Sequence, residues 1–171
     1  MNLSTISETK ISRGSNRDGI IAACVYFSCK ECDVPRSSKE IADIFNINIT
    51  VMTKGCKNFQ EIMNLNKKNK TRIQNRSIHP NDFIDRFADN LSIDIKKVKT
   101  ICRVALENNI ISQNTPQSIA AGCIYYYIKR NKLNIPKKDL SDVCKISEVT
   151  INKCFKKIEE HNDLFNEYFE N

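Results

Sequence analysis

Near the end of the chain, Ser147 to Ile158 reads SEVTINKCFKKI. Val149, Ile151, Phe155 and Ile158 recur at helical spacing, and the other side offers Asn152, Lys153, Lys156 and Lys157. Lysine ammonium groups displace counterions from phosphates, and an asparagine amide pairs best with an adenine edge. Ser147 in front predicts an N-cap that accepts hydrogen bonds from the first free N–H groups of the helix. Behind such a cap the helix start carries partial positive charge, for which phosphate is a natural partner. The helix is therefore either an ordinary amphipathic packing element or one whose wet face meets DNA. Phe155 and Ile158 belong to packing in both cases.

Other chemistry-bearing residues say less. Cys29 and Cys32 in CKEC have metal-ligand spacing, but no second CxxC follows, and His79 and His161 stand isolated, so no metal site is expected. Of the 8 cysteines, Cys24, Cys102, Cys123 and Cys154 fall in apolar helical stretches and act as small core residues, which points to a reducing, intracellular setting. No motif forms a nucleophile–base pair, a carboxylate site or a glycine-rich phosphate loop, so neither catalysis nor a cofactor is expected. The formal charge of +7 and pI of about 9.0 favour polyanionic partners. No apolar run approaches the roughly 20 residues of a membrane span, and Met1–Lys10 lacks the apolar core of a secretory signal. Only 4 Gly and 4 Pro in 171 residues favour long helices. Heavy use of Asn, Ile and Lys is a coding bias toward A and T.

The elements that position these residues occur twice. GIIAACVYFSCKECDVPRSSKEIADIFNINITVMTKGCKNF resembles SIAAGCIYYYIKRNKLNIPKKDLSDVCKISEVTINKCFKKI. Tyr26 and Tyr125, Ile41 and Leu140, Asp43 and Asp142, Ile47 and Ile146, and Met52 and Ile151 are each 99 residues apart, while Pro35 and Pro136 slip by two. A period this long marks two copies of a domain rather than a solenoid. In the second copy helices are predicted near Asn81–Leu91, Asp94–Asn109, Pro116–Asn131, Lys137–Val143 and Ser147–Glu160, with Asp94 and Thr115 as caps and Pro116 at the first turn. Pro116–Asn131 is apolar on most sides and should lie at the centre of a bundle. The first copy shows equivalents of the last three helices only, near Asn16–Cys32, Ser38–Phe45 and Asn48–Met63. The 99-residue offset would put its first two before Met1, leaving apolar surface for a missing part or a partner to cover. The expected organisation is a partial first repeat over 1–63, a basic linker over 64–79 containing KKNKTRIQNR (Lys67–Arg76), a second repeat over 80–165 and a tail over 166–171. Each copy ends in two short helices joined by a tight link, with Leu140, Val143, Ile146, Ile151 and Phe155 forming a small shared core. That is the pattern of a helix-turn-helix, in which Asn46 and Lys145 stand near the usual turn glycine.

Several of these stretches resemble the core of the transcription initiation factor IIB family. RGSNRDGIIAACVYFSCKECDVPRSSKEIADI is similar to its first cyclin-like repeat from the third helix onward, and PNDFIDRFADNLSID to the opening of the second. NTPQSIAAGCIYYYIK, SEVTINKCFKKI and the DLF of Asp163–Phe165 follow in the family's order, so that the resemblance covers most of residues 13–165. It implies an all-α fold of two tandem cyclin-like repeats that docks on TATA-binding protein and bent promoter DNA. Within the recognition helix it implies DNA contacts by Ser147, Val149, Thr150, Asn152, Lys153, Lys156 and Lys157, with Val149 and Asn152 at the base-touching positions. The family commonly has Arg where Asn152 stands, which implies an altered upstream preference. Gly14 and Arg17 would lie near downstream DNA, although Ser15 replaces a common Arg. Lys30 and Lys54 would face TATA-binding protein. The zinc ribbon and reader segment that serve RNA polymerase are not in the sequence, so this chain by itself is expected to bind promoter complexes without starting transcription. The resemblance implies the nucleus for a eukaryotic source, and a viral factory or virion for a large DNA virus. Two alternatives share the fold: a cyclin-like regulator that binds a kinase, and a related factor serving another polymerase.

Overall fold

The structure is a computed structural model that describes residues 14–65 and 77–169. Every regular element among them is helical, and no helix there is long and apolar enough to cross a membrane. The chain divides into two compact units, Met1–Ser77 and Ile78–Asn171. The basic run Lys67–Arg76 lies outside the described residues.

The first unit contains α1 (Ser15–Glu31), α2 (Ser38–Ile44) and α3 (Ile49–Leu65). The second contains α4 (Asn81–Asn90), α5 (Ile95–Glu107), α6 (Pro116–Arg130), α7 (Lys137–Cys144), α8 (Glu148–Glu159) and a 3-10 turn over Asn162–Tyr168. The expected helices are all present, with ends displaced by one or two residues. Starts follow from capping chemistry. Asp94 accepts from the Lys97 N–H at 3.1 Å, and Thr115 accepts from the Ser118 N–H at 3.4 Å ahead of Pro116. Ser37 and Glu40 form a reciprocal capping box on α2, with bonds of 3.2 and 2.8 Å.

Helix stops follow a rule that glycine scarcity hides. Asp33, Asn46, Ser92, Asn109, Lys132 and Lys145 all adopt left-handed backbone, with φ between 50 and 60°. Each is followed by an aliphatic residue: Val34, Ile47, Ile93, Ile110, Leu133 or Ile146. Behind five of them the aliphatic residue's N–H bonds back five residues: Val34 to Cys29, Ile47 to Ala42, Ile93 to Ala88, Ile110 to Ala105 and Leu133 to Ile128, at 2.9–3.0 Å. This is the Schellman closure, in which a left-handed residue lets the chain satisfy the last carbonyls. Asp33 and Lys132, and Asn46 and Lys145, are again 99 residues apart, so the two copies share their turns as well as their helices.

The second unit is built around α6. Every residue from Gln117 to Ile128 is buried, because α4, α5, α7 and α8 all pack on this helix. Its core joins Phe83, Ile84 and Phe87 of α4, Val98 and Ile101 of α5, Leu140 of α7 and Ile151 and Ile158 of α8. The expected small helix-turn-helix core is thus part of one continuous core. Arg86 lies over the rings of Phe83 and Phe87, 5.8 and 5.1 Å from their centroids. The 3-10 turn closes the far side. Phe165 is buried against Tyr126, the Tyr126 hydroxyl bonds Asn162, and Arg130 donates to Asn166 at 2.9 Å. Asn166–Tyr168, expected in a tail, therefore belong to the folded unit because Arg130 and the aromatic cluster hold them.

Two close approaches set the helix spacing. A Cβ at Gly122 of α6 would come within 2.5 Å of the Cys154 Cβ on α8. In the first unit Gly55 of α3 meets the backbone of Gly19 on α1, and a Cβ on either would overlap the other helix. Gly55 is the counterpart of Cys154, whereas the counterpart of Gly122 is Ala23. The crossing in the first unit has therefore moved one turn toward the start of α1. In this unit α1 packs mainly on α3 and also on α2, and Val25, Ile44 and Ile49 remain exposed, Ile44 at 71%.

Buried thiols line α6 in the second unit. Hydrogen bonding to Cys102, followed by burial, pushes Cys123 well above its ordinary 9.0, and burial raises Cys154. A raised folded-state pKa means that stability is complete below the unfolded value and is lost as pH rises beyond it. The unfolding free energy from urea titrations should thus fall as pH is raised above about 9, and replacing Cys123 by Ala should flatten that fall. Gly55→Ala should cost about 1–3 kcal/mol through overpacking against Gly19, read as a lower urea midpoint. An unchanged midpoint would show that the α1–α3 crossing is not tight.

Candidate nucleic-acid interface

The geometry of α8 begins in the turn before it. α7 ends at Cys144 and passes through left-handed Lys145, as expected where a turn glycine is missing. The Ser141 hydroxyl donates to the Ile146 carbonyl at 2.7 Å across the turn. Buried Gln117, near the start of α6, donates from Nε2 to the Cys144 carbonyl at 2.6 Å. That carbonyl is among the last four of its helix, which have no partner within the helix itself. Gln117 was not singled out from sequence. The available signal was one amide-bearing residue at the head of a helix that is otherwise apolar on nearly every side.

From this clamp α8 runs with Ile151, Cys154 and Ile158 buried and Phe155 half-buried, its ring edge-on to Tyr125 at 5.1 Å. Ser147 caps the helix, accepting from the Thr150 N–H at 3.3 Å, and the Ser147 and Thr150 hydroxyls bond each other at 2.9 Å. These two side chains serve the cap first. Glu148 occupies the first helical position and is exposed, so its carboxylate already complements the helix dipole. The expectation that phosphate meets this helix end is thereby weakened, and the attraction for phosphate moves to the lysines.

The solvent face carries Val149, Lys153 and Lys156, spaced four and three residues apart and hence on one side of the helix. Val149 is 64% exposed and gives this face an aliphatic side chain beside the two lysines. Lys157 is exposed too, but its ammonium donates to Asn114 Oδ1 at 3.4 Å and ties α8 to the link before α6. Asn152 is half-buried, and Lys137 of α7 donates to its Oδ1 at 3.2 Å. The Lys137 ammonium also lies 5.2 Å from the centroid of the Tyr125 ring, and that of Lys129 lies 5.4 Å from it. The helix thus gathers all seven residues singled out by sequence, but among the described residues only Val149, Lys153 and Lys156 of these are exposed without a side-chain hydrogen bond.

The first-unit residues do not form one patch. Gly14 precedes α1 with φ of 59° in open space, its carbonyl accepting from the Arg17 N–H at 2.9 Å, and Arg17 is exposed one turn on. Lys30 lies in the last turn of α1 and is half-exposed. Lys54 is exposed on α3 beside Gly55, which meets Gly19. Along α1 that crossing is roughly 16 Å from Lys30, at 1.5 Å rise per residue. Lys30 and Lys54 are therefore separate points. Among the described residues no cluster of His, Cys, Asp or Glu is arranged to hold a metal ion.

Comparison with known proteins gives the family. The Transcription factor TFIIB repeat model matches residues 2–62 and 73–161. A transcription initiation factor IIB-like protein of Acanthamoeba polyphaga mimivirus is 40% identical over 154 residues, covering 86% of this chain and 33% of its own length. Transcription initiation factor IIB of Glycine max is 31% identical over 157 residues, covering 91% of this chain and 50% of its own length. That of Methanococcus maripaludis strain C5 is 27% identical over 160 residues, covering 92% and 45%. The chain spans between a third and half of these relatives, which are initiation factors rather than enzymes. With two matched repeats, an all-helical fold and a shared turn pattern, the chain belongs to the transcription factor TFIIB repeat family and is built of two tandem cyclin-like repeats.

Proposed function

We propose that this chain is the promoter-docking core of a general transcription initiation factor, binding TATA-binding protein on promoter DNA on behalf of an RNA polymerase. The observation that carries this reading is the stripe of Val149, Lys153 and Lys156 on a capped helix that packs closely on α6 at Gly122, while Gln117 holds the end of α7 before it. A fixed helix with an apolar residue near its start and ammonium groups along its length fits the major groove. Lysines meet the backbone there, and the side chains of the first turns reach base edges. Val149 would pack against a thymine methyl or sugar, Lys153 and Lys156 would neutralise phosphates, and Asn152 would face a base. In the same reading 1–63 and 80–165 act as the two repeats, joined by the basic segment 64–79. Gly14 and Arg17 approach the DNA on the other side of the TATA element, and Lys30 and Lys54 make separate contacts with TATA-binding protein.

A mobility shift with a TATA-containing duplex tests this. The expected result is a ternary band that requires both TATA-binding protein and this chain. If the chain adds nothing to the binary complex in low salt, the reading fails. Lys153→Ala and Lys156→Ala should each weaken ternary binding on every flanking sequence and lower the slope of log K against log salt by about one unit. A loss confined to one flanking sequence would instead make the lysine a base reader.

A further inference from the structure

The contact between Lys137 and Asn152 changes what Asn152 can read. An isolated asparagine offers both a donor and an acceptor, and so matches the N6 donor and N7 acceptor of adenine. Here the amide carbonyl already accepts from the Lys137 ammonium at 3.2 Å. The orientation is fixed by chemistry, since an ammonium has only donors and cannot face the amide NH2 group. The ammonium is itself held in place by the face of the Tyr125 ring at 5.2 Å, and that ring is fixed edge-on by Phe155. One lone pair of the carbonyl is thereby taken and the other lies beside a positive charge, so the pair presents chiefly the amide NH2 together with the remaining N–H bonds of Lys137. A base amino group approaching this edge would meet donors and a positive charge, whereas two adjacent acceptors would be welcome. Guanine alone places two acceptors, N7 and O6, side by side in the major groove.

Resting on the reading of α8 as the recognition helix, we infer that Lys137 is a specificity-determining residue that makes Lys137 and Asn152 a joint, donor-rich and positively charged edge selecting guanine over adenine. Lys137 lies on α7, the helix that in this fold crosses the DNA backbone, yet its ammonium is directed to the side chain on α8 that would meet a base. Its role is to orient and charge Asn152, and this overturns the adenine preference expected from Asn152 alone.

The test is selection of ternary complexes from a pool of TATA duplexes with randomised base pairs upstream, bound with TATA-binding protein and sequenced. The position at which Asn152→Ala erases a base preference locates the contact. The parent chain should prefer guanine there. Lys137→Met, which keeps length but removes the donors and frees the amide carbonyl, should shift the preference toward adenine by about tenfold. Lys137→Arg should retain guanine. An adenine preference in the parent, no preference erased by Asn152→Ala, or a Lys137→Met chain that weakens on all sequences alike while still selecting guanine would each overturn the inference and leave promoter binding intact. Failure of the parent chain to form any ternary complex would instead sink the reading on which it rests. Recovery of ternary complexes by Lys137→Met from the unselected pool shows that this variant is folded.

Discussion

The second unit depends on one constraint: a helix buried on every side must be approached closely enough for its neighbours to seal it. α6 meets that constraint with small residues, and Gly122 is the position where α8 comes nearest, against Cys154. Because the approach sets the first side-chain carbon of Cys154 against the α6 backbone, it fixes the rotation of α8 as well as its distance. Ile151, Cys154 and Ile158 must face inward, and Val149, Lys153 and Lys156 are left outward. The basic stripe is thus a consequence of how the core is closed. Gln117 adds the second constraint by holding the end of α7, so that the two helices of the motif are positioned by two points on the same buried element.

The first unit satisfies the same constraint differently. Its contact between Gly19 and Gly55 is tighter, but α1 buries only part of its surface among the described residues. The outward positions of α3 carry Thr53, Lys54 and Lys57, and the neighbouring turn carries exposed Ile44 and Ile49. One topology therefore presents a lysine stripe around an aliphatic residue in the second copy and a more apolar, mixed surface in the first. Duplicated folds diverge in this way, since the core positions are constrained by packing and the outward ones by whatever they meet.

Much of this was legible in the sequence because it is written in local chemistry. Thr115 before Pro116, Asp94 and Ser147 mark helix starts by capping, and the twelve buried residues of α6 announce a central helix by lacking a polar face. The left-handed stops at Asn46 and Lys145 could be placed from the repeat. The other four, Asp33, Ser92, Asn109 and Lys132, were readable in principle as a polar residue followed by an aliphatic one, but that signal is weak without glycine. What sequence did not reveal is long-range. Gln117 and Cys144 are 27 residues apart, and Lys137 and Asn152 are 15 apart on different helices. No periodicity links such pairs. The same limit explains why the bond of the Lys157 ammonium to Asn114, 43 residues away, was not legible.

The six left-handed stops have a consequence at the level of inheritance. A glycine stop is specified by codons rich in G and C, whereas Asn, Lys and Ile are specified by codons rich in A and T. Four of the six joints between helices are Asn or Lys, residues of A- and T-rich codons, while the close crossings at Gly19, Gly55 and Gly122 hold glycine where a Cβ has no room. Base composition can thus shape the hinges of the fold, whereas space alone dictates the residue at these crossings.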